Sequence, residues 1–497
     1  DTGESVQEMA VALGELRRRS TKPIAAVVYT HFHYVDGTQA IVDEANFISP
    51  LRIFGHSGIA GNKVRTGGEI APAYSRGLVE QFGIVMPDKG PDALVNVGLG
   101  FAYRNPLHQP ATPGHLPITD ALPLEGEVTI AGARVRVKYS PSDSDDSMNF
   151  FFPDSGVCVH NTIWPALFNV FAIRGEEYRD PRVLILGIDN IIKWSPEHLI
   201  GTHGPPLSGC ANIQEKAERY RDSIQFLWDQ AVRGLNKGWT IDEIASRVSL
   251  PPQFDVDYLT SERYGIAEHH LRQICTGLRG WFDGEESRLF PEEPSMRYVK
   301  LIEGFGGRAE VSRRAREALQ ANEVRWGIEL ATWLARSDEA DDADRQLLAD
   351  GLRLVAERTP AANIRNWAIT RARHLDRQGP MDRFYRHGFN SRILASSSVT
   401  DLVHTLRVLI DPERAQGVSG HLRFLVAGET AGLRIRNCVA IPTSGDGADI
   451  DVEMSRETFD ALLSGKLRWS EAAIAVTGDI ELLGSIRQCF DHSGIGG

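Results

Sequence analysis

Apolar side chains recur along this chain in two rhythms, one of period two and one near 3.6. Residues 24–29 form a short run rich in Val and Ile that suits a strand covered on both faces. The run passes directly into a loop carrying His31, His33 and Asp36. Before it, Val6, Met9, Leu13 and Leu16 share one helical face over residues 5–19. A helix over 41–46 and a short strand over 51–55 follow. Residues 67–110, with Gly and Pro throughout, read as irregular loops over a site. Strands are predicted over 128–130 and 133–139, joined by a turn at Ala131-Gly132, then over 150–152, 157–159 and 199–202.

The second half changes character. Residues 211–233 form an amphipathic helix, with Ile213, Tyr220, Ile224 and Leu227 on the face that packs on the sheet. Residues 240–375 are almost wholly helical by pattern, in two-helix units of repeat type. Trp326, Trp333 and Trp367 on these helices read as core or dimer interface, and the acidic run 337–344 as a solvated turn. Beyond His387, strands of alternating polarity are expected over 424–426, 433–441 and 449–454, with helices over 399–409, 456–464 and 482–490. An α+β domain of this kind can enclose an apolar cavity.

Length divides the chain: 497 residues exceed what one core supports. Hydrophobic content of 42% and charged content of 24% are those of a globular protein, and a net charge of -12 argues against nucleic acid and anionic membranes as general partners. Five scattered cysteines without a Cys-x-x-Cys pair argue against a disulfide framework and fit a reducing, cytoplasmic setting. No apolar run reaches the length of a membrane-spanning helix. The opening Asp1-Thr2-Gly3 lacks a methionine and resembles the end of a strand, so an upstream piece is expected.

Chemistry concentrates at strand ends. Four of them deliver metal-capable side chains: His31, His33 and Asp36; the Asp143–Asp146 cluster; His160; and His203. Neutral imidazole is a common zinc or iron ligand, and carboxylates add the charge a dication needs. Each ending alone is ordinary, but four together point to a metal centre. His269 and His270 lie in a helical segment and receive no role.

With these residues the chain resembles the metallo-β-lactamase superfamily, and within it the alkyl sulfatases. Thr30-His31-Phe32-His33, Ser147-Met148-Asn149-Phe150 and Gly201-Thr202-His203 match the metal loops. The segment 168–175 with Arg179-Asp180 resembles the family's Arg-Gly segment, and 239–252, 278–284, 298–330 and 347–367 its helical dimerisation region. The resemblance implies an αβ/βα metallo-β-lactamase sandwich over residues 1–235, lacking the family's opening β-hairpin. It implies an all-α dimerisation domain over 236–378 and an α+β sterol-carrier-like domain over 379–497. It also implies a homodimer whose substrate is amphiphilic, with an anionic ester head.

Against the family's His-x-His-x-Asp-His run, Tyr34 fills the spacer, Val35 falls at the Asp and Asp36 at the second-site His. The carboxylate before Met-Asn falls on Ser147, leaving Asp146 or Asp145 to reach in, and a further Glu falls at His160 or Asn161. The implied ligands are His31, His33, Asp36, Asp146, His160 and His203, holding one or two divalent ions, zinc first, with iron or manganese as alternatives. Arg174 and Asn169 would face the anionic head, an Arg fork suiting a sulfate; the plain alternative for Arg174 is an ion pair with Asp180 or Glu177. Tyr34 would donate to an oxyanion or leaving oxygen, or simply pack. The reading is a metal-dependent alkyl-sulfatase-type hydrolase. Its alternatives are an iron oxygenase on Asp36, His160 and His203, and a non-catalytic lipophile-binding dimer.

Overall fold

The computed structural model describes residues 1–379 and 381–496. Its chain divides into two compact units, residues 1–59 with 77–380, and 60–76 with 381–497.

In the first unit a three-stranded parallel sheet joins Val27–Val28, Ile53–Gly55 and Asp120–Ala121. Regular pairing in the expected 24–29 strand is confined to Val27–Val28, although the Tyr29 amide still donates to the Phe54 carbonyl at 2.8 Å. The helices Val6–Arg17 and Thr38–Glu44 cover one face through Leu13, Ala40 and Ile41. Ser5 starts the first helix, its hydroxyl accepting from the Glu8 amide.

A six-stranded sheet runs Glu125–Ile130, Ala133–Tyr139, Met148–Phe152, Val157–His160, His198–Gly201 and Leu207–Ser208, in that order. Alternation sorts its side chains. Val135, Val137, Met148 and Phe150 meet Phe54 of the first sheet, while Phe151, Cys158 and Leu199 face the helices Pro181–Trp194 and Cys210–Asn236. Four layers result, helix–sheet–sheet–helix: the αβ/βα sandwich of the metallo-β-lactamase fold.

Pairing then decides where the loops go. Tyr139 lies opposite Met148, and His160 opposite Gly201 in a parallel pair, so residues 140–147, 161–163 and 202–204 leave the sheet at one edge. The Met148 amide donates to the Thr30 carbonyl at 2.9 Å, which brings the histidine loop of the other sheet to that same edge.

Residues 67–110, expected to be irregular, contain the helix Ala71–Phe82. Pro72 and Gly77 disguise it. Proline is tolerated in a first helical turn, and a Cβ on Gly77 would stand 2.0 Å from the Arg174 carbonyl oxygen, so the close approach requires glycine.

Helices from Ile241–Arg247 to Ala362–Leu375 complete this unit. Trp333 is buried in their core, and Trp326 meets it edge-on at 5.9 Å. The acidic run is more than a solvated turn: Asp341 and Asp344 form a reciprocal helix cap, and Asp344 pairs with Arg308.

The second unit holds a five-stranded sheet ordered Val439–Thr443, Glu429–Arg436, Gly420–Val426, Ile450–Met454, Ala475–Gly478, flanked by helices including Val399–Thr405 and Arg456–Leu463. The expected strand over 433–441 is a hairpin instead, because Asn437 and Cys438 adopt φ of 51° and 60° and reverse the chain in two residues.

Candidate metal centre

At the shared edge, ligand atoms of His31, His33 and Asp143 lie within 4.8 Å of one another, the one such group of three among the described residues. His33 Nδ1 is 3.1 Å from Asp143 Oδ2, and His31 Nε2 is 3.8 Å from the same oxygen.

The tautomer of His31 follows from its neighbours. The Thr30 hydroxyl donates to Asp1 Oδ2 at 2.6 Å, so it can only accept from His31 Nδ1–H at 2.9 Å. That leaves Nε2 with its lone pair. The Nε2 atoms of His31, His33 and His203 are all buried and make no hydrogen bond among the described residues. A buried nitrogen lone pair without a donor, 3.8 Å from a carboxylate as at His31, is what a cation site requires and what a packed core avoids.

Electrostatics agree. Burial pushes His31 down to about 3 and His203 down to about 4, so both rings are neutral at pH 7 and available as ligands. Burial alone would raise the Asp143 carboxyl, but the neighbouring His31 and His33, with the His33 hydrogen bond, hold it well below the carboxylate range. The His203 ring packs edge-on against Tyr34 at 5.4 Å and Trp164 at 4.5 Å, and it feels the charge of Asp143.

The other predicted carboxylates are placed elsewhere. Residues Phe32–Tyr34 form one 3-10 turn, which sends Val35 into the core and leaves Asp36 with its charge on Tyr29 and Arg104. Asp146 Oδ1 accepts from the Ser144 hydroxyl at 2.5 Å, and its charge acts on Tyr139. Asp36, His160 and His203 therefore form no ligand group, and the two-His, one-carboxylate arrangement is not built. His160 is turned by its backbone: Nδ1 accepts from the amides of Thr162 and Ile163 at 3.1 and 3.2 Å.

Behind Asp143 lies a network that spacing alone did not reveal. Asn161 Nδ2 donates to Asp143 Oδ1 at 2.5 Å and to Ser142 Oγ at 3.0 Å, and Thr202 Oγ1 donates to Asn161 Oδ1 at 2.5 Å. One amide thus ties the carboxylate to the strand end that carries His203.

Two arginines, Arg174 and Arg179, lie close enough for their charges to act on the centre. Arg174 pairs with Glu176 at 2.8 Å, rather than with Asp180 or Glu177, and its charge acts on Tyr34 and His203. Burial, then Glu4 and Asp143, push the Tyr34 phenol well above its usual value, so it stays an O–H donor. Asn169 is buried with neither side-chain atom hydrogen-bonded among the described residues. Arg179 donates from Nη1 to the Asn169 carbonyl at 2.6 Å, its Nη2 lies 3.8 Å from Glu176, and its Nε and Nη2 make no hydrogen bond among the described residues. The periodicity of the sequence gave no reason to prefer Asp143 over Asp146, or to single out Arg179, since both depend on how loops close.

Imidazoles and a carboxylate thus meet on the rim of an αβ/βα sandwich, with the guanidinium groups of Arg174 and Arg179 beside them. The family described as alkyl sulfatase dimerisation matches residues 240–378, and that described as alkyl sulfatase C-terminal matches 389–494. A linear primary-alkylsulfatase of a Pseudomonas species is 30% identical over 99% of this chain and 96% of its own. An (R)-specific secondary-alkylsulfatase of Pseudomonas is 28% identical over 96% of this chain and 73% of its own. The solved stereoselective inverting sec-alkylsulfatase of Pseudomonas superposes with a TM-score of 0.83 at 25% identity, covering 99% of this chain and 79% of that one. The chain belongs to the alkylsulfatase family, enzymes that hydrolyse sulfuric esters.

Proposed function

We propose that the protein hydrolyses sulfate esters of amphiphilic alcohols at a divalent metal ion held by His31, His33 and Asp143, with His203 beside them. The overall reaction converts ester and water to alcohol and hydrogen sulfate. The observation that carries this reading is the buried, donor-free Nε2 of His31 facing the Asp143 carboxylate. A bound ion, zinc by the nitrogen-rich donor set, would supply Lewis acidity and lower the pKa of water.

The chain's own groups do the rest. Arg174 neutralises the sulfate head, Asn169 offers amide donors to it, and Tyr34 holds a proton for the oxygen that leaves. Asp143 fixes His33 through its N–H, and Thr30 fixes His31. Asp36, Asp146 and His160 are left outside the ligand set.

The proposal extends to organisation: a catalytic domain over 1–235, a dimerisation domain over 236–378 and a sterol-carrier-like domain over 379–497. Trp281, Leu289 and Phe290, exposed at 68%, 50% and 90% inside the dimerisation match, would be covered by a second copy of the chain. No described helix is long and apolar enough to cross a membrane. The cytoplasm is the proposed location because the five scattered cysteines, all free, suit a reducing compartment.

The test is inorganic sulfate released from a long-chain alkyl sulfate by wild type and by His31→Ala. Release that falls by at least about 10³-fold together with loss of bound metal supports the reading. Undiminished release by the variant refutes it.

A further inference from the structure

We infer that this centre holds one metal ion, with the Asn161 side-chain amide standing where a second cation would act. The inference rests on the metal-centre reading above and goes beyond it in number and ligand identity.

In a two-ion hydrolase the cations sit roughly 3.5–4 Å apart, and a carboxylate between them gives one oxygen to each. Asp143 is the carboxylate in the His31–His33 group, and its two oxygens have different partners. Oδ2 faces the histidines, at 3.1 Å from His33 Nδ1 and 3.8 Å from His31 Nε2. Oδ1 accepts from Asn161 Nδ2 at 2.5 Å.

The direction of that amide is not free to reverse. Asp143 can only accept, so the NH₂ must face it, and the Thr202 hydroxyl donates to the opposite Oδ1 at 2.5 Å. The same NH₂ donates to Ser142 Oγ at 3.0 Å and reaches Ser147 Oγ at 3.3 Å. A cation on Oδ1 would meet the positive end of this dipole and would have to displace a buried donor held from both sides. Asn161 is 1% exposed, and Ser142 and Ser147 are also buried, so no solvent compensates that loss.

His160 cannot replace the missing ligand. Its Nδ1 receives two backbone N–H groups, at 3.1 and 3.2 Å, so the ring proton sits on Nε2 and neither nitrogen offers a lone pair to an ion. Val35, 0% exposed and apolar, contributes nothing. Neither of these two residues supplies a donor for a second ion. His160 instead becomes a neutral N–H donor at the strand end paired with Gly201.

The experiment counts metal. Stripped full-length protein is titrated with zinc, and bound metal per chain is measured by inductively coupled plasma mass spectrometry after gel filtration, for wild type, His31→Ala and His160→Asn. Asparagine at 160 keeps an oxygen where Nδ1 accepts the two amides while removing Nε2. The expected result is about one zinc per chain in wild type, the same in His160→Asn, and at least a tenfold weaker site in His31→Ala. Two zincs in wild type, or loss of the ion in His160→Asn, would overturn the one-ion assignment while leaving a metal hydrolase in place. No zinc in wild type would overturn both.

Discussion

Replacing Gly77 by alanine tests whether Arg174 matters through its position. A Cβ at residue 77 would stand 2.0 Å from the Arg174 carbonyl oxygen and 2.7 Å from its carbonyl carbon and Cα. Carbon contacts are favourable only near 3.5–4.0 Å, so the helix Ala71–Phe82 or the Arg174 backbone must give way by about 1 Å. The Arg174 amide is otherwise fixed by the Gln81 side chain at 3.2 Å, on that same helix, so both anchors move together. A displacement of that size at a head-group clamp costs about 10²-fold in rate, equivalent to about 2.7 kcal/mol in transition-state binding. Overpacking adds about 1–3 kcal/mol of instability. The assay is kcat/KM for alkyl sulfate hydrolysis, with bound metal and thermal unfolding measured in parallel. Gly61→Ala is the control: its Cβ meets nothing within 4 Å in the helix Ile59–Gly67, so it should be neutral or slightly stabilising. Gly77→Ala with kcat/KM within twofold of wild type would refute the argument. Lost metal would show that the damage is not confined to the head-group side.

Other outcomes follow from the same geometry. Asp143→Asn removes the negative charge facing His31 and His33 and should weaken metal binding at least tenfold by calorimetry, whereas Asp146→Asn should change it less than threefold. The metal-free protein should lose stability as pH falls from about 6.5 towards 4. Unfolded histidine titrates near 6.5, and His31 and His203, held at about 3 and about 4, stay neutral in the fold, so protons favour the unfolded chain. An unfolding temperature that rises between pH 7 and pH 5 would contradict this. Cys438→Gly should strengthen the hairpin by about 1 kcal/mol, because residue 438 has φ of 60°; slower amide exchange in Leu433 and Ile441 would register it. Phe290→Asp should shift self-association towards monomer in sedimentation at micromolar concentration.

Much of the scaffold is legible in residue order. The Val- and Ile-rich run before His31, the helical face of Val6, Met9, Leu13 and Leu16, and the strands over 133–139 and 150–152 each mark a local element that is present in kind in the fold. Misread elements have two causes, a partner distant in sequence and a local backbone turn that residue type alone does not announce. Gly77 looks like a helix breaker until Arg174 is seen against it, and residues 433–441 look like one strand until Asn437 and Cys438 take positive φ. The site shows the same division. His31, His33 and His203 announce themselves by type and by their place after strands. Choosing among the acids of the 143–146 cluster depends on loop closure, which turns Asp143 to the histidines and Asp146 to Ser144. The role of Asn161 depends further on Thr202, forty-one residues away, holding its amide.

The central claim is that His31, His33 and Asp143 meet at one ion that the ester hydrolysis requires. The most direct measurement adds zinc stepwise to stripped protein while inorganic sulfate released from a long-chain alkyl sulfate is counted. Release should rise in proportion to metal and level at one equivalent per chain. Full release from the stripped protein, or none at any metal level, would contradict it.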